Sequence, residues 1–311
     1  MSILLRVLGV LILLAVALIA AFVWFSRPVS TEQAVAEWMG ENDRMVEVNG
    51  ESWRIRESGL VGAPVFVMVH GFSHSLEAMD VLAERFNASH RVIQIDLPAH
   101  GLTGPRADNG YSPVAMSVEL GALLEELQTG PVVLLGHSLG GLVSWNLAAD
   151  RPELVNALIL SASGGYPNLG VGDEPAEIPT AMRLYLTQAP MAMVEAANAL
   201  NYFDPSKMTD AEVERIQAML KIEGNGQALI SLLEQFTLPD PTERLSRITA
   251  PTLVVWGQED AFVPVEHAQR FATDIDQAQV AVIENAGHRV IQEQPDEVTQ
   301  AINTFLSARA D

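Results

Sequence analysis

The chain has no cysteine and only two lysines, Lys207 and Lys221. Without thiols there can be no disulfide, cysteine nucleophile, thiolate zinc site or iron–sulfur cluster. No basic cluster occurs anywhere. A formal net charge of −21 and an isoelectric point near 4.6 argue against nucleic acid or an anionic membrane surface as a partner. There is also no internal repeat, and no low-complexity tract beyond an apolar run at the N-terminus. What is present is ample: 311 residues, 49% of them apolar, suffice for one large α/β domain or a core domain with an insertion.

The N-terminal run, Val7 to Phe25, holds 19 residues without a charge between Arg6 and Arg27. Roughly 20 apolar residues in a helix cross the hydrocarbon core of a bilayer. The run ends in Phe22-Val-Trp-Phe25, bulky where a signal peptidase needs small side chains, and Trp24 and Phe25 suit an interfacial belt. Residues 1–27 are therefore expected to be an uncleaved single-pass anchor that places the protein in a membrane. The amino terminus and Arg6 before the span give a positive bias, and Glu32, Glu37 and Glu41 follow it. That bias puts the N-terminus inside and the body in the periplasm or outside the cell.

After a polar connector over 28–44, Arg44–Arg56 alternates around Asn49-Gly50, a hairpin signal. Short apolar runs follow at Val65–Val69, Arg91–Ile95, Val132–Leu135, Ala157–Leu160, Thr252–Trp256 and Gln279–Ile283. Such runs are expected of strands buried on both faces of a parallel sheet. Helical segments at 76–86, 112–128, 140–150, 265–274 and 295–308 separate them. The reading is an α/β fold, an open sheet of about eight strands. Between Ser163 and Thr249 no buried strand is legible; helices near 174–187, 190–200, 209–222 and 226–236, broken by prolines, are expected above the sheet's carboxyl edge. Five of the eleven methionines fall there, Met182, Met191, Met193, Met208 and Met219. They serve either helix packing or an adaptable wall over a substrate pocket.

Gly136-His-Ser-Leu-Gly140 lies between an apolar strand and a helix, the setting in which G-x-S-x-G forces a strained turn and lifts the Ser138 hydroxyl above the sheet. A serine needs a base, and the base a carboxylate to orient it. His288, in Glu284-Asn-Ala-Gly-His288 after the last strand, is the candidate base. Asp260, after the Thr252–Trp256 strand, is the candidate carboxylate, with Glu259 beside it as competitor. Asp96 is expected to pin its loop through backbone hydrogen bonds. An oxyanion would be held by the backbone N–H groups of Leu139 and of Phe72 in His70-Gly71-Phe72. His137 is expected to turn from the hydroxyl's path and pack. His90 and His267 have no suggested partner. His74 and His100 follow strands on the active edge and stand second as substrate contacts. The candidate substrate-contact set is His74, His137, Met182 and Met191.

His70-Gly-Phe72, Asp96-Leu-Pro-Ala-His-Gly101, Gly136-His-Ser-Leu-Gly-Gly141, Trp256-Gly-Gln-Glu-Asp260 and Asn285-Ala-Gly-His288 together resemble the α/β-hydrolase fold family, in its lipase/esterase-like branch. The resemblance covers residues 45–308. It implies a Ser138–Asp260–His288 triad, Phe72 and Leu139 as oxyanion donors, and a hydrolase core over 28–163 and 251–311 with a cap over 164–250. Ala99 departs from the pattern, which usually has glycine there. Ser138 disfavours relatives with an aspartate nucleophile, such as epoxide hydrolases. The expected activity is hydrolysis of a small, apolar carboxylic ester, with no metal or organic cofactor. C–C hydrolysis of meta-cleavage type is the nearest rival. The cap's cations, chiefly Arg183, Lys207, Arg215, Lys221, Arg244 and Arg247, are few, so an anionic substrate is not favoured. Lactone, amide and perhydrolase chemistry stay open. A binding protein on this fold would carry a broken triad, and no break is seen.

Overall fold

The computed structural model describes residues 27–309. The expected span over 7–25 lies outside the described residues, among which no helix is long and apolar enough to cross a membrane. Eight strands form one sheet in the order β1-β2-β4-β3-β5-β6-β7-β8. These are β1 (Asp43–Val48), β2 (Glu51–Gly59), β3 (Val65–Val69), β4 (Arg91–Ile95), β5 (Val132–His137), β6 (Val155–Ser161), β7 (Thr252–Gly257) and β8 (Gln279–Ile283). The first two form the hairpin expected at Asn49-Gly50, and β2 runs antiparallel to β4. From β4 to β8 every neighbouring pair is parallel. Pairing with β4 extends β2 to Gly59, past the expected end at Arg56.

The core explains the continuous apolar runs. Successive strand side chains point to opposite faces. Val67, Val69, Leu134, Leu158, Leu160 and Val254 enter one buried cluster, while Phe66, Met68, Val133, Leu135, Ile159 and Val255 enter another. Helices α1 (Thr31–Trp38), α2 (Asp80–Phe86), α3 (Pro113–Glu126) and α4 (Leu139–Asp150) precede the β6–β7 interval. That interval holds α5 (Thr180–Gln188), α6 (Met191–Ala199), α7 (Asp210–Leu220) and α8 (Asn225–Gln235), then short α9 (Thr242–Leu245). It contributes no strand to the sheet, as expected. After it come α10 (Glu266–Asp274), α11 (Val290–Glu293) and α12 (Pro295–Ser307). Helices α3, α4 and α10 cover the first face, and α2 and α12 the second, through Leu82 and Phe86 and through Val298, Ile302 and Phe305.

The connector is docked rather than loose. Ser30 caps α1, its Oγ accepting the Gln33 N–H at 3.2 Å. Buried Ala34 packs with Leu102, Met219 and Ile222. Val29 pairs in parallel with Ile222, donating to the Lys221 carbonyl at 2.8 Å and accepting the Glu223 N–H at 2.9 Å.

On the hairpin side a charged cluster is buried. The fully buried Arg54 guanidinium lies 2.5 Å from Asp43, 2.6 Å from Glu77 and 3.2 Å from Asp96. Arg56 adds Asp43 at 2.6 Å and Asp80 at 2.9 Å. Two guanidiniums thus face four carboxylates. For Asp43 and Glu77, burial pushes the pKa upward, but the two arginines with the Gly40 N–H and the Ser75 hydroxyl outweigh it and hold both below the usual carboxylate range. Asp80 and Asp96 are left less well compensated: burial raises both, Asp96 to about 6.

Candidate active site

Ser138 sits at the turn between β5 and α4 with φ 54° and ψ −115°. That conformation is disfavoured for a residue with a side chain, so neighbours must enforce it. They do. The Ser138 N–H donates to the Ser161 carbonyl at 3.0 Å, and the Ser138 carbonyl accepts from Gly164 N–H at 3.0 Å. A Cβ at Gly136 would run into the Gly140 carbonyl, and one at Gly140 into the carbonyls of Val69 and His70. The small residues two before and two after the serine are therefore steric requirements.

The expected partners arrive from two other strand ends. His288 Nε2 lies 3.0 Å from Ser138 Oγ, and His288 Nδ1 lies 2.8 Å from Asp260 Oδ2. Asp260 Oδ1 accepts the N–H groups of Phe262 at 2.8 Å and Val263 at 2.9 Å, which fixes the carboxylate. With that carboxylate accepting from Nδ1–H, Nε2 presents its lone pair to the serine. Glu259 is turned elsewhere, accepting the Ala286 N–H at 3.0 Å and bracing the turn that carries His288.

The loop after β3 passes against the serine: a Cβ on Gly71 would lie 3.1 Å from Ser138 Cβ. The N–H groups of Phe72 and Leu139 make no hydrogen bond among the described residues. Burial lowers the pKa of His70 to about 4; its Nδ1 faces the Gly71 carbonyl at 2.7 Å and its Nε2 accepts the Leu97 N–H at 3.1 Å. This neutral ring locks the loop. Asp96 pins the next one as expected, accepting the N–H groups of Leu76 at 2.7 Å and Leu102 at 2.8 Å. Ala99 takes φ 71°, so the loop keeps a left-handed conformation suited to glycine while an alanine carries it.

Two cavities meet at Ser138. One, of about 210 Å³, is lined almost wholly by apolar groups, among them Val171, Met182, Leu232, Leu233, Phe236 and Phe262. The other, of about 180 Å³, carries His74, His137, Tyr185, Asn201, His288 and Arg289 on its wall. Of the candidate substrate contacts, His74 and His137 line the second cavity and Met182 lines both. Burial, then His288, drives the pKa of His137 well below the usual histidine value, and its ring packs 4.9 Å from that of His288. Two candidates fall away. Met191 opens α6 with its side chain exposed and lines neither cavity, because the α6 face turned inward is that of Val194 and Asn198. His100 is drawn into its own loop, Nδ1 2.8 Å from the Pro98 carbonyl, and also lines neither. His90 packs against Phe66 and Phe86, and His267 against Tyr166. Among the described residues no cluster of three or more His, Asp or Glu could hold a metal ion. Sequence reasoning missed Arg289 and Phe262, whose ring lies 5.5 Å from that of His288. Only their nearness to His288 and Asp260 in sequence could have marked them.

A parallel sheet with a serine on its sharpest turn, and a histidine and a carboxylate converging from later strands, defines a class of protein, and the family profile agrees. The chain belongs to the alpha/beta hydrolase family, whose profile matches residues 66–301. It is 30% identical over 270 residues to the dihydrolipoyllysine-residue acetyltransferase component of the acetoin cleaving system of Pseudomonas putida, covering 86% of this chain and 70% of that protein. It is 30% identical over 261 residues to the 2-hydroxy-6-oxononadienedioate/2-hydroxy-6-oxononatrienedioate hydrolase of Cupriavidus pinatubonensis, covering 79% of this chain and 87% of that one. A crystal structure of a putative lipase from Acinetobacter baumannii shares the fold, with a TM-score of 0.74, 24% identity, and 89% and 94% of the two chains covered.

Proposed function

We propose that the protein is a serine hydrolase that cleaves carboxylic esters through an acyl-enzyme. The observation that carries this reading is the line Ser138 Oγ–His288 Nε2–Asp260, with hydrogen-bond distances of 3.0 and 2.8 Å. His288 takes the Ser138 proton as Oγ attacks the ester carbonyl. The N–H groups of Phe72 and Leu139 hold the resulting oxyanion, a contribution typically of about 2.7–4 kcal/mol for each donor. As the tetrahedral intermediate collapses, the alkoxide leaves with the proton from His288. Water, deprotonated by the same ring, then attacks the acyl-enzyme and releases the carboxylic acid. The apolar cavity takes the acyl chain, and the polar one takes the alcohol.

The test is labelling by a fluorophosphonate probe, beside turnover of p-nitrophenyl esters of increasing chain length. Labelling of the wild type and none of Ser138→Ala is expected; equal labelling of both would defeat the proposal. C–C hydrolysis of a 2-hydroxy-6-oxo-dienoate, the kind of substrate the Cupriavidus relative is named for, is the competing reading. It displaces this one if a 2-hydroxy-6-oxo-dienoate turns over and the esters do not. Residues 7–25 are proposed to anchor the protein in a membrane with its body outside the cytoplasm, on the strength of a 19-residue stretch without charge. Retention of the full chain in membranes washed with alkaline carbonate is expected; release into the wash would overturn the anchor.

A further inference from the structure

Behind the polar cavity lies another, of about 290 Å³, lined by Lys207, Arg215, Tyr202 and Glu212 and sharing His74 and Arg289 with it. Those two side chains form the partition between the chamber that holds Ser138 and the one beyond. Arg289 is 2% exposed, yet its Nε and Nη1 have no hydrogen-bond partner; only Nη2 is engaged, donating to Glu212 at 2.8 Å. A buried guanidinium with idle donors is costly unless something accepts from them. The Nε of Arg215, on the same cavity wall, is likewise without a partner. Two of the three carboxylates on that wall are paired with cations outside it, and the third, Glu212, occupies a single Arg289 nitrogen. Glu77 is bound to Arg54 and Arg56, Asp80 to Arg56, and Glu212 to Tyr202 and Arg289. In a chain of net charge −21, Arg289 and Arg215 thus bring idle guanidinium donors to one cavity that joins the serine's own, with Lys207, its Nζ donating to the Glu293 carbonyl at 2.7 Å, on the same wall.

His74 adds an acceptor. Its Nδ1 lies 2.8 Å from the Phe72 carbonyl, which can only accept, so Nδ1 carries the proton and Nε2 is a lone pair with no hydrogen-bond partner, 3.9 Å from Glu212 Oε1.

We propose that this partition is a subsite for an oxyanion, a carboxylate or a phosphate, borne on the alcohol portion of the ester, with a neighbouring hydroxyl of that alcohol donating to His74. The proposal rests on the ester-hydrolase reading and names its substrate class: an apolar acyl group joined to an anionic alcohol. Anion recognition then comes from Arg289, next to His288 in the core, rather than from the helical insertion alone.

Hexanoate esters of phenol, 4-hydroxybenzoate and 4-hydroxyphenyl phosphate provide the test. The preference for anionic over neutral ester, as a ratio of kcat/KM, is expected to fall about 10- to 100-fold in Arg289→Met, mostly through KM. The carboxylate and phosphate arms tell which anion the site takes. Because Arg289→Met leaves half-buried Glu212 without its cation, Arg289→Met/Glu212→Gln is measured beside it. Arg183→Gln, which removes an exposed cation paired with Glu234, should leave the ratio unchanged. An equal ratio in the wild type and both Arg289 variants overturns the subsite while leaving the hydrolase intact. Should no ester turn over and no probe label, the hydrolase reading fails, and the subsite is judged by calorimetry on Ser138→Ala. Saturable binding of 4-hydroxybenzoate or glycerol phosphate that Arg289→Met removes supports it; no binding, or binding that persists, overturns it.

Discussion

Ser138→Ala should lower kcat for p-nitrophenyl hexanoate by about a million-fold, and His288→Ala by nearly as much, while the double variant should lose little more. The three groups act as a unit: a base with no hydroxyl to deprotonate does no more than a hydroxyl with no base. Asp260→Asn should cost about 10⁴-fold. Asp260 Oδ1 is already held by the Phe262 and Val263 N–H groups, so the oxygen facing His288 is the one that decides the tautomer. An amide nitrogen there would donate to Nδ1, moving the proton to Nε2 and leaving nothing to accept from Ser138. Glu259→Gln, in contrast, should stay within about threefold, since its partner is the Ala286 N–H and a Gln side-chain oxygen can still accept it. Single-turnover kinetics reads all five variants, and fluorophosphonate titration of the Ser138 variants counts any labelled contaminant. Activity of Ser138→Ala above about one part in a thousand, with the titration excluding contaminants, would rule out this serine as the nucleophile.

Arg54→Met should destabilise the fold by about 3–5 kcal/mol, because it strands the buried carboxylates of Asp43, Glu77 and Asp96 around an uncharged side chain. Denaturant unfolding at neutral pH measures it, and a loss under 1 kcal/mol would mean the cluster is solvated or dispensable. The pH profile gives a second reading. Asp43 and Glu77 are held below their ordinary values of 3.8 and 4.5, so the stability they contribute is present above about pH 4.5 and is lost as the pH falls through their folded values. Asp96, raised to about 6 by burial, works in the opposite sense: its contribution is complete below 3.8 and lost as the pH climbs through 6. Wild-type stability set by these groups should therefore peak near pH 4.5, falling on the acid side with Asp43 and Glu77 and declining toward pH 6 with Asp96. In Arg54→Met the acid limb should flatten, because the guanidinium no longer holds Glu77 down.

The sheet was legible because burial on both faces demands uninterrupted apolar runs, and β3, β5 and β7 have them. The serine turn was legible because steric necessity fixes Gly136 and Gly140. Asp260 stands ahead of Glu259 as the candidate, but spacing alone does not separate them. Both residues sit on one turn, and only the orientation of their side chains toward His288 or toward Ala286 separates them. Arg54 was hidden for a different reason. In an alternating hairpin it falls on the polar side, which usually faces water, but here Leu76–Met79 and the Asp43 carboxylate close over it. Arg289 was hidden because a cation count over residues 164–250 ignores the core. Met191 misled because a methionine on a helix carries no sign of which face is turned inward.

The docking of α1 and Val29 also fixes an order of assembly. The surface they occupy is made of Leu102 from the loop after β4 and of Met219 and Ile222 from the end of α7 and the turn beyond it, so it does not exist until the core and the insertion have come together. Residues translated near the start of the chain must wait for residues some 190 positions later. The connector is thus laid down late, over a seam between insertion and core that Asn225 with Gly101 and Lys207 with Glu293 already bridge.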